Sequence, residues 1–361
     1  MISIAQPLVN QKEKELVLEV MDSGMLASGS YVNNFSKNFA DFIGCDYSAA
    51  VSSGTTALHT ALLSAGIGEG DKVLTTPFTF IASSNSILYT GAEPVFVDIK
   101  EDSYNIDPEK IEAALKKDPE IKALLIVHLF GLSCDMDKIM ELVEKYDLIL
   151  IEDCAQSHGA EFEGKKTGSF GDLSTFSFYP TKNMTTGEGG MVLTDREEFY
   201  QKAAKIINHG QSKKYCHDSL GYNFRMTNIA AAIGLVQLEK LADFNRKRIE
   251  NAEFFNQELA DLKWLITPSK AANKKHVYHQ YTLRVEARDD FASYLSENGV
   301  GNSIHYPSPV TKQPYYKKLG YGELSFEVTE KVAAEIISIP VHPALSDEEL
   351  KKIVDVIKSY R

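Results

Sequence analysis

Between residues 47 and 207 short apolar runs alternate with amphipathic stretches. The runs Ala49–Ser52, Lys72–Thr75, Glu93–Val97, Ala123–Val127, Leu148–Glu152, Leu173–Phe178 and Gly190–Thr194 are bounded by turn formers and read as strands buried on both faces. Helical spacing of apolar positions predicts helices at Thr55–Ala65, Ile81–Tyr89, Pro108–Lys117, Met136–Tyr146 and Arg196–Ile207. This alternation implies an α/β fold, a mainly parallel seven-stranded sheet with helices on both faces. Ahead of it come a short apolar arm (residues 1–9), a helix over Asn10–Asp22, a Gly/Ser loop at Met25–Tyr31 and a helix over Val32–Ile43 stopped by Gly44.

After the sheet the order changes. Ala230–Leu259 is helical throughout and reads as the connector to a second unit. A strand at His279–Val285, a helix at Asp289–Glu297, a loop through residue 316 and helices at Ser325–Ile337 and Asp347–Tyr360 follow. They predict a smaller C-terminal α+β domain, with the chain divided into residues 1–240 and 241–361. A length of 361 residues suits two domains rather than one core.

Charge and cysteine usage narrow the function. A net charge of −12 leaves no basic surplus to displace counterions, which argues against nucleic acid as a partner. No apolar run reaches membrane-spanning length, and the N-terminus lacks a secretory apolar core. Cys45, Cys134, Cys154 and Cys216 show neither metal-type spacing nor pairing, so no metal is expected and a cytoplasmic setting is.

The chemistry gathers at two strand ends. Leu148–Ile151 runs into Glu152 and Asp153; Thr175–Tyr179 runs into Pro180, Thr181 and Lys182. Ligands of open α/β sheets sit beyond the carboxyl ends of the strands. An acid and an amine facing one pocket suit pyridoxal 5'-phosphate (PLP). Its aldehyde needs an amine for a Schiff base, and its ring nitrogen needs an anion to stay protonated as an electron sink. Lys182 is then both the covalent amine and the proton-moving base, and Asp153 the ring partner. Taken singly, a loop lysine and a capping aspartate are ordinary; the pairing gives them meaning.

A phosphate site is expected where Val51–Ala57 joins strand to helix: Gly54 permits the turn, and Thr55 and Thr56 offer donors at a helix N-terminus. An ordinary capped turn would have the same sequence. Ser177 adds a further donor, Phe80 an aromatic face for a flat ring, and Gln156 a group for the ring oxygen. Gly66–Asp71 follows a helix and precedes a strand, so it is not a dinucleotide fingerprint.

In order, SSGTTAL (52–58), PFTFIAS (77–83), VHLFGLSCDMD (127–137), IEDCAQSHGA (151–160), TFSFYPTKNMTTGEGGM (175–191), INHGQ (207–211), GYNFRMTNIAAAIGLVQL (221–238) and IHYPSPVTKQPYY (304–316) resemble the DegT/DnrJ/EryC1/StrS family of PLP-dependent sugar aminotransferases. The resemblance implies fold type I, the aspartate aminotransferase-like fold, in a homodimer with active sites at the subunit interface. It implies that Lys182 bonds the cofactor, Asp153 its ring nitrogen and Gln156 its 3-oxygen. Thr55, Thr56 and Ser177 would hold the phosphate, Phe80 the ring face, and Asn223 the phosphate of the other subunit's site. His305 and Tyr306 would flank a sugar-nucleotide pocket.

The implied reaction takes nitrogen from an amino acid, in most relatives L-glutamate, and places it on a keto group of a nucleotide-linked sugar for amino-sugar or polysaccharide biosynthesis. Lys182-Asn-Met-Thr-Thr-Gly-Glu-Gly-Gly190 resembles relatives acting at C4 more than those acting at C3. Lys213, Lys214 and Arg225 are candidates for a pyrophosphate. The chain departs from relatives at Val310-Thr311-Lys312, where many carry a histidine. Alternatives are a sugar dehydratase, whose family members replace the lysine by histidine, a cyclitol aminotransferase, and a non-enzymatic regulatory relative.

Overall fold

The computed structural model describes residues 1–360. The seven expected strands form one sheet: β1 (Tyr47–Val51), β2 (Lys72–Thr75), β3 (Glu93–Phe96), β4 (Ile121–Val127), β5 (Ile149–Asp153), β6 (Leu173–Ser177) and β7 (Gly190–Thr194), in the order β1-β7-β6-β5-β4-β2-β3. All neighbours are parallel except that β7 runs antiparallel to both β1 and β6. Successive residues of β4 explain why the sheet is covered twice. Ala123, Leu125 and Val127 join one apolar cluster, while Leu124 and Ile126 join another on the opposite face.

The helices before, between and directly after these strands are α1 (Gln11–Ser23), α2 (Ser30–Ile43), α3 (Gly54–Ser64), α4 (Ala82–Tyr89), α5 (Pro108–Lys117), α6 (Met136–Tyr146) and α7 (Glu197–Ile206). Next comes α8 (Asn228–Glu258), 31 residues long and capped by Thr227, whose hydroxyl accepts from Ala230 N. Its first half packs on α1 and α2; Gly234 meets the Phe35 ring so closely that a Cβ there would lie 2.7 Å from it. Its second half gives Ala252, Phe255 and Leu259 to a separate C-terminal cluster. Residue 240 therefore lies within one continuous helix.

The C-terminal cluster surrounds an antiparallel sheet of β8 (Leu265–Ile266), β9 (Tyr281–Val285) and β10 (Ile336–Ile339). Helices α9 (Arg288–Glu297), α10 (Pro314–Lys318), α11 (Glu327–Glu335) and α12 (Asp347–Lys358) complete this part. Here the helix expected over Ser325–Ile337 stops two residues early. Ile336 and Ile337 open β10 instead, with Ile337 opposite Leu283 and Ile339 opposite Tyr281. Branched side chains with partners across a sheet override the helical spacing that precedes them. The loop after His305 also contains α10, which the sequence did not show; its Tyr316 is fully buried against Phe96.

The N-terminal arm is tied down. Ile2 is buried and bridges Val300, and Gln237 Nε2 donates to Leu8 O at 2.8 Å. No described helix is long and apolar enough to cross a membrane.

Candidate functional site

Register places the site. Asp153 ends β5 level with Val127 of β4 and Thr175 of β6. Gly190 of β7 pairs with both Val51 of β1 and Ser177 of β6. Four carboxyl ends thus meet at one edge, and a cavity of about 620 Å³ opens there. Gly54, Thr55, Phe80, Asp153, Gln156, Ser177, Lys182, His305 and Tyr306 all line it.

The strand-to-helix turn fits tightly at this edge. Ser53 caps α3, its hydroxyl accepting from Thr56 N at 3.1 Å. A Cβ on Gly54 would lie 2.6 Å from Ser177 Cβ, and one on Gly190 would lie 2.4 Å from Ser53 O. Both glycines are therefore needed for close approach, and the first residues of α3, Gly54 and Thr55, line the cavity beside Ser177, where helix N-termini leave N–H groups free. Thr56 is not part of the lining. Its hydroxyl donates to Ser53 O at 2.8 Å and accepts from Ser53 N at 3.0 Å, which stiffens the turn from behind.

Asp153 is 4% exposed. Its Oδ2 accepts from the Ser83 hydroxyl at 2.8 Å and its Oδ1 from Ala155 N at 3.1 Å. Burial pushes its carboxyl above the usual range, against those two bonds and the charge of Lys182. A buried carboxylate held by neutral donors alone suits a cationic partner entering from the cavity. Burial likewise brings the Lys182 amine down to about 8, opposed by Asp153. His305 falls to about 4 through burial and then the nearby Lys182 charge.

Gln156 Oε1 accepts from Phe130 N at 2.8 Å and its Nε2 donates to the Tyr306 hydroxyl at 3.1 Å. This joins the large sheet to the 304–316 loop. Phe80 is 57% exposed, an unusual position for a phenyl ring unless something flat covers it. The amine, the buried acid, the exposed ring and the helix N-terminus together fit PLP.

Several neighbours went unnoticed in the sequence. Ser83, three residues after Phe80 in PFTFIAS, donates to Asp153, a contact 70 residues apart in sequence that spacing does not display. His279, Gln280, Tyr179 and Glu188 also line the cavity. Behind it, His128 Nε2 lies 2.9 Å from Glu152, whose two oxygens also accept from the N–H groups of Gly168, Phe170 and Gly171. Cys134 N donates to His128 Nδ1 at 3.1 Å. Cys154 completes a buried trio with ligand atoms within 4.8 Å of one another, but the histidine and the carboxylate are taken up by these bonds. Asn223 is exposed and outside the cavity, bridged to Asn208. Lys213, Lys214 and Arg225 do not line the cavity either.

Comparison with known proteins agrees with this geometry. Residues 7–358 match the DegT/DnrJ/EryC1/StrS aminotransferase family. A pleiotropic regulatory protein of Geobacillus stearothermophilus is 38% identical over 95% of this chain and 92% of its own length. The GDP-perosamine synthase of Escherichia coli O157:H7 is 37% identical over 99% of this chain and 98% of its own. Among solved structures, S. venezuelae DesV superposes with a TM-score of 0.92 at 34% identity, covering 96% of this chain and 94% of that one. The chain belongs to the DegT/DnrJ/EryC1/StrS aminotransferase family and is a PLP-dependent transaminase of fold type I.

Proposed function

We propose that the protein moves the amino group of an amino acid, L-glutamate, to a keto carbon of a nucleotide-linked sugar. Lys182 and Asp153 line one cavity at the strand ends, and that observation carries the assignment. PLP supplies the electron sink for the carbanion left when a substrate proton departs. Lys182 would hold the cofactor covalently, and its amine, when released, would carry the proton to and from the substrate carbon. With its amine brought down to about 8, a useful fraction is neutral near pH 7. Asp153 would hold the ring nitrogen's proton through a charge-assisted hydrogen bond.

Gln156 would meet the ring oxygen, Phe80 the ring face, and Gly54, Thr55 and Ser177 the phosphate. Thr56 serves the same end by stiffening the turn. His305 and Tyr306 lie on the sugar side. We assign the working unit as a homodimer, because Tyr179 is 48% exposed at the cavity and invites cover, while Asn223 is exposed outside its own subunit's cavity. In that dimer Asn223 reaches the partner's phosphate site, and Lys213, Lys214 and Arg225 supply positive charge for a pyrophosphate. Residues 1–240 form the large PLP-binding domain with its N-terminal arm and 241–361 the small C-terminal domain, joined through α8. The chain works in the cytoplasm, on small molecules rather than nucleic acid or membrane. The sequence after Lys182 favours C4 as the acceptor.

The test is mass spectrometry of products from UDP-, GDP- and dTDP-linked 3-keto and 4-keto sugars with glutamate. Replacement of the keto oxygen by one hydrogen and one amino group on a 4-keto sugar is expected. Loss of water instead would make the protein a dehydratase. A regulatory role, which the name of one relative raises, would show as PLP binding without a half-reaction for any amino acid.

A further inference from the structure

Three serines of α4 use their hydroxyls differently. Ser84 and Ser86 donate back to the carbonyls of Ile81 and Ser83, at 3.3 and 2.8 Å, as serines near helix backbone commonly do. Ser83 instead donates out of the helix, to Asp153 Oδ2 at 2.8 Å. A hydroxyl has one proton and two lone pairs, and a carboxylate has no proton to return. The Ser83 proton is therefore spent on Asp153. Thr79 Oγ1 lies 3.0 Å from Ser83 Oγ, so in that contact Thr79 donates and Ser83 accepts. The hydroxyls form a chain with one direction, from Thr79 through Ser83 to Asp153.

Thr79, Ser83 and Asp153 are 4%, 1% and 4% exposed, and all three line the cavity. Each bond in such a chain polarises the next, so Thr79 strengthens the hold of Ser83 on the carboxylate from one residue further back. The other oxygen, Oδ1, accepts from Ala155 N at 3.1 Å. Burial works the other way and favours the neutral acid. These neutral donors, with the charge of Lys182, oppose it.

We propose that Ser83 and Thr79 are positioning residues for Asp153, a directed pair of hydroxyls that keeps its carboxylate ionised and thereby holds the proton on the cofactor's ring nitrogen. One proton is shared between that nitrogen and the carboxylate. It lies on the nitrogen while the chain is intact and moves toward the oxygen when the chain is cut; no other bond forms or breaks. The inference rests on the reading of Asp153 as the ring partner.

The test loads the enzyme with PLP labelled with ¹⁵N in its ring and reads the ring-nitrogen resonance by NMR, which lies far upfield when that nitrogen is protonated. Wild type should show the upfield position. Ser83→Ala should move it downfield. Thr79→Val, which keeps the shape of the side chain and removes its hydroxyl, should move it the same way by less. In single-turnover kinetics the amino-acid half-reaction should slow by about tenfold in Ser83→Ala, the effect of losing one hydrogen bond to a charged group, and by less in Thr79→Val. Thr79→Val carries the test if Ser83→Ala does not fold or load. A wild-type resonance in either folded, loaded variant overturns the proposal and leaves Asp153 as the ring partner. An unprotonated ring nitrogen in wild type overturns both.

Discussion

Lys182 is pulled two ways: burial disfavours its charge, and Asp153 favours it. Burial wins, so the amine titrates at about 8, and its reactivity toward an aldehyde in cofactor-free protein should rise through that pH and level off above it. Only the neutral form attacks, which sets the sign. Stopped-flow absorbance with pyridoxal reports it. Asp153→Asn keeps the shape and removes the anion. It should slow the amino-acid half-reaction by roughly 10–100-fold, the worth of one charge-assisted hydrogen bond, in single-turnover kinetics. Both residues were legible in sequence because each stands just beyond an apolar run and carries unusual chemistry there. His279 was not. In HVYHQYTLRV it looks like the start of a strand, and its orientation follows from Asn183 and Asn245, which are remote along the chain.

The decisive element is the β1–α3 turn. It lies against Ser177 and Gly190 because β1 and β6 both run antiparallel to β7, so their carboxyl ends coincide. Gly54→Ala would push a methyl group to within 2.6 Å of Ser177 Cβ and shift the first turn of α3. Its effect should be selective: weaker binding of PLP by about tenfold, with binding of non-phosphorylated pyridoxal little altered, as equilibrium dialysis of both would show. Apolar runs told where the strands are but not which way they point, so the reversed β7 and its close approach to Ser53 lay outside what periodicity carries. The misplaced end of α11 has a similar cause. Ile336 and Ile337 suit a helix locally, and only their partners on β9 make them strand.

At the scale of the whole molecule, the N-terminal arm links the two clusters. Ile2 packs among C-terminal core residues and Ser3 O meets His342 Nε2 at 3.0 Å, while Glu13 Oε1 takes Gln237 and Lys240 of α8, each at 2.6 Å. Ile2→Ala should destabilise the protein by about 1–3 kcal/mol in urea unfolding, the cost of deleting part of a buried side chain. The parallel sheet and the smaller C-terminal part were both expected from order alone. A role for Asn223 needs a second copy of the chain, which one sequence does not display. Every role proposed for the cavity depends on Lys182 being the residue that holds PLP. Borohydride reduction of the PLP-loaded protein followed by peptide mapping tests this directly. The cofactor mass should appear on the peptide containing Lys182 and vanish in Lys182→Ala. A label on another lysine, or an equal label in the variant, would contradict it.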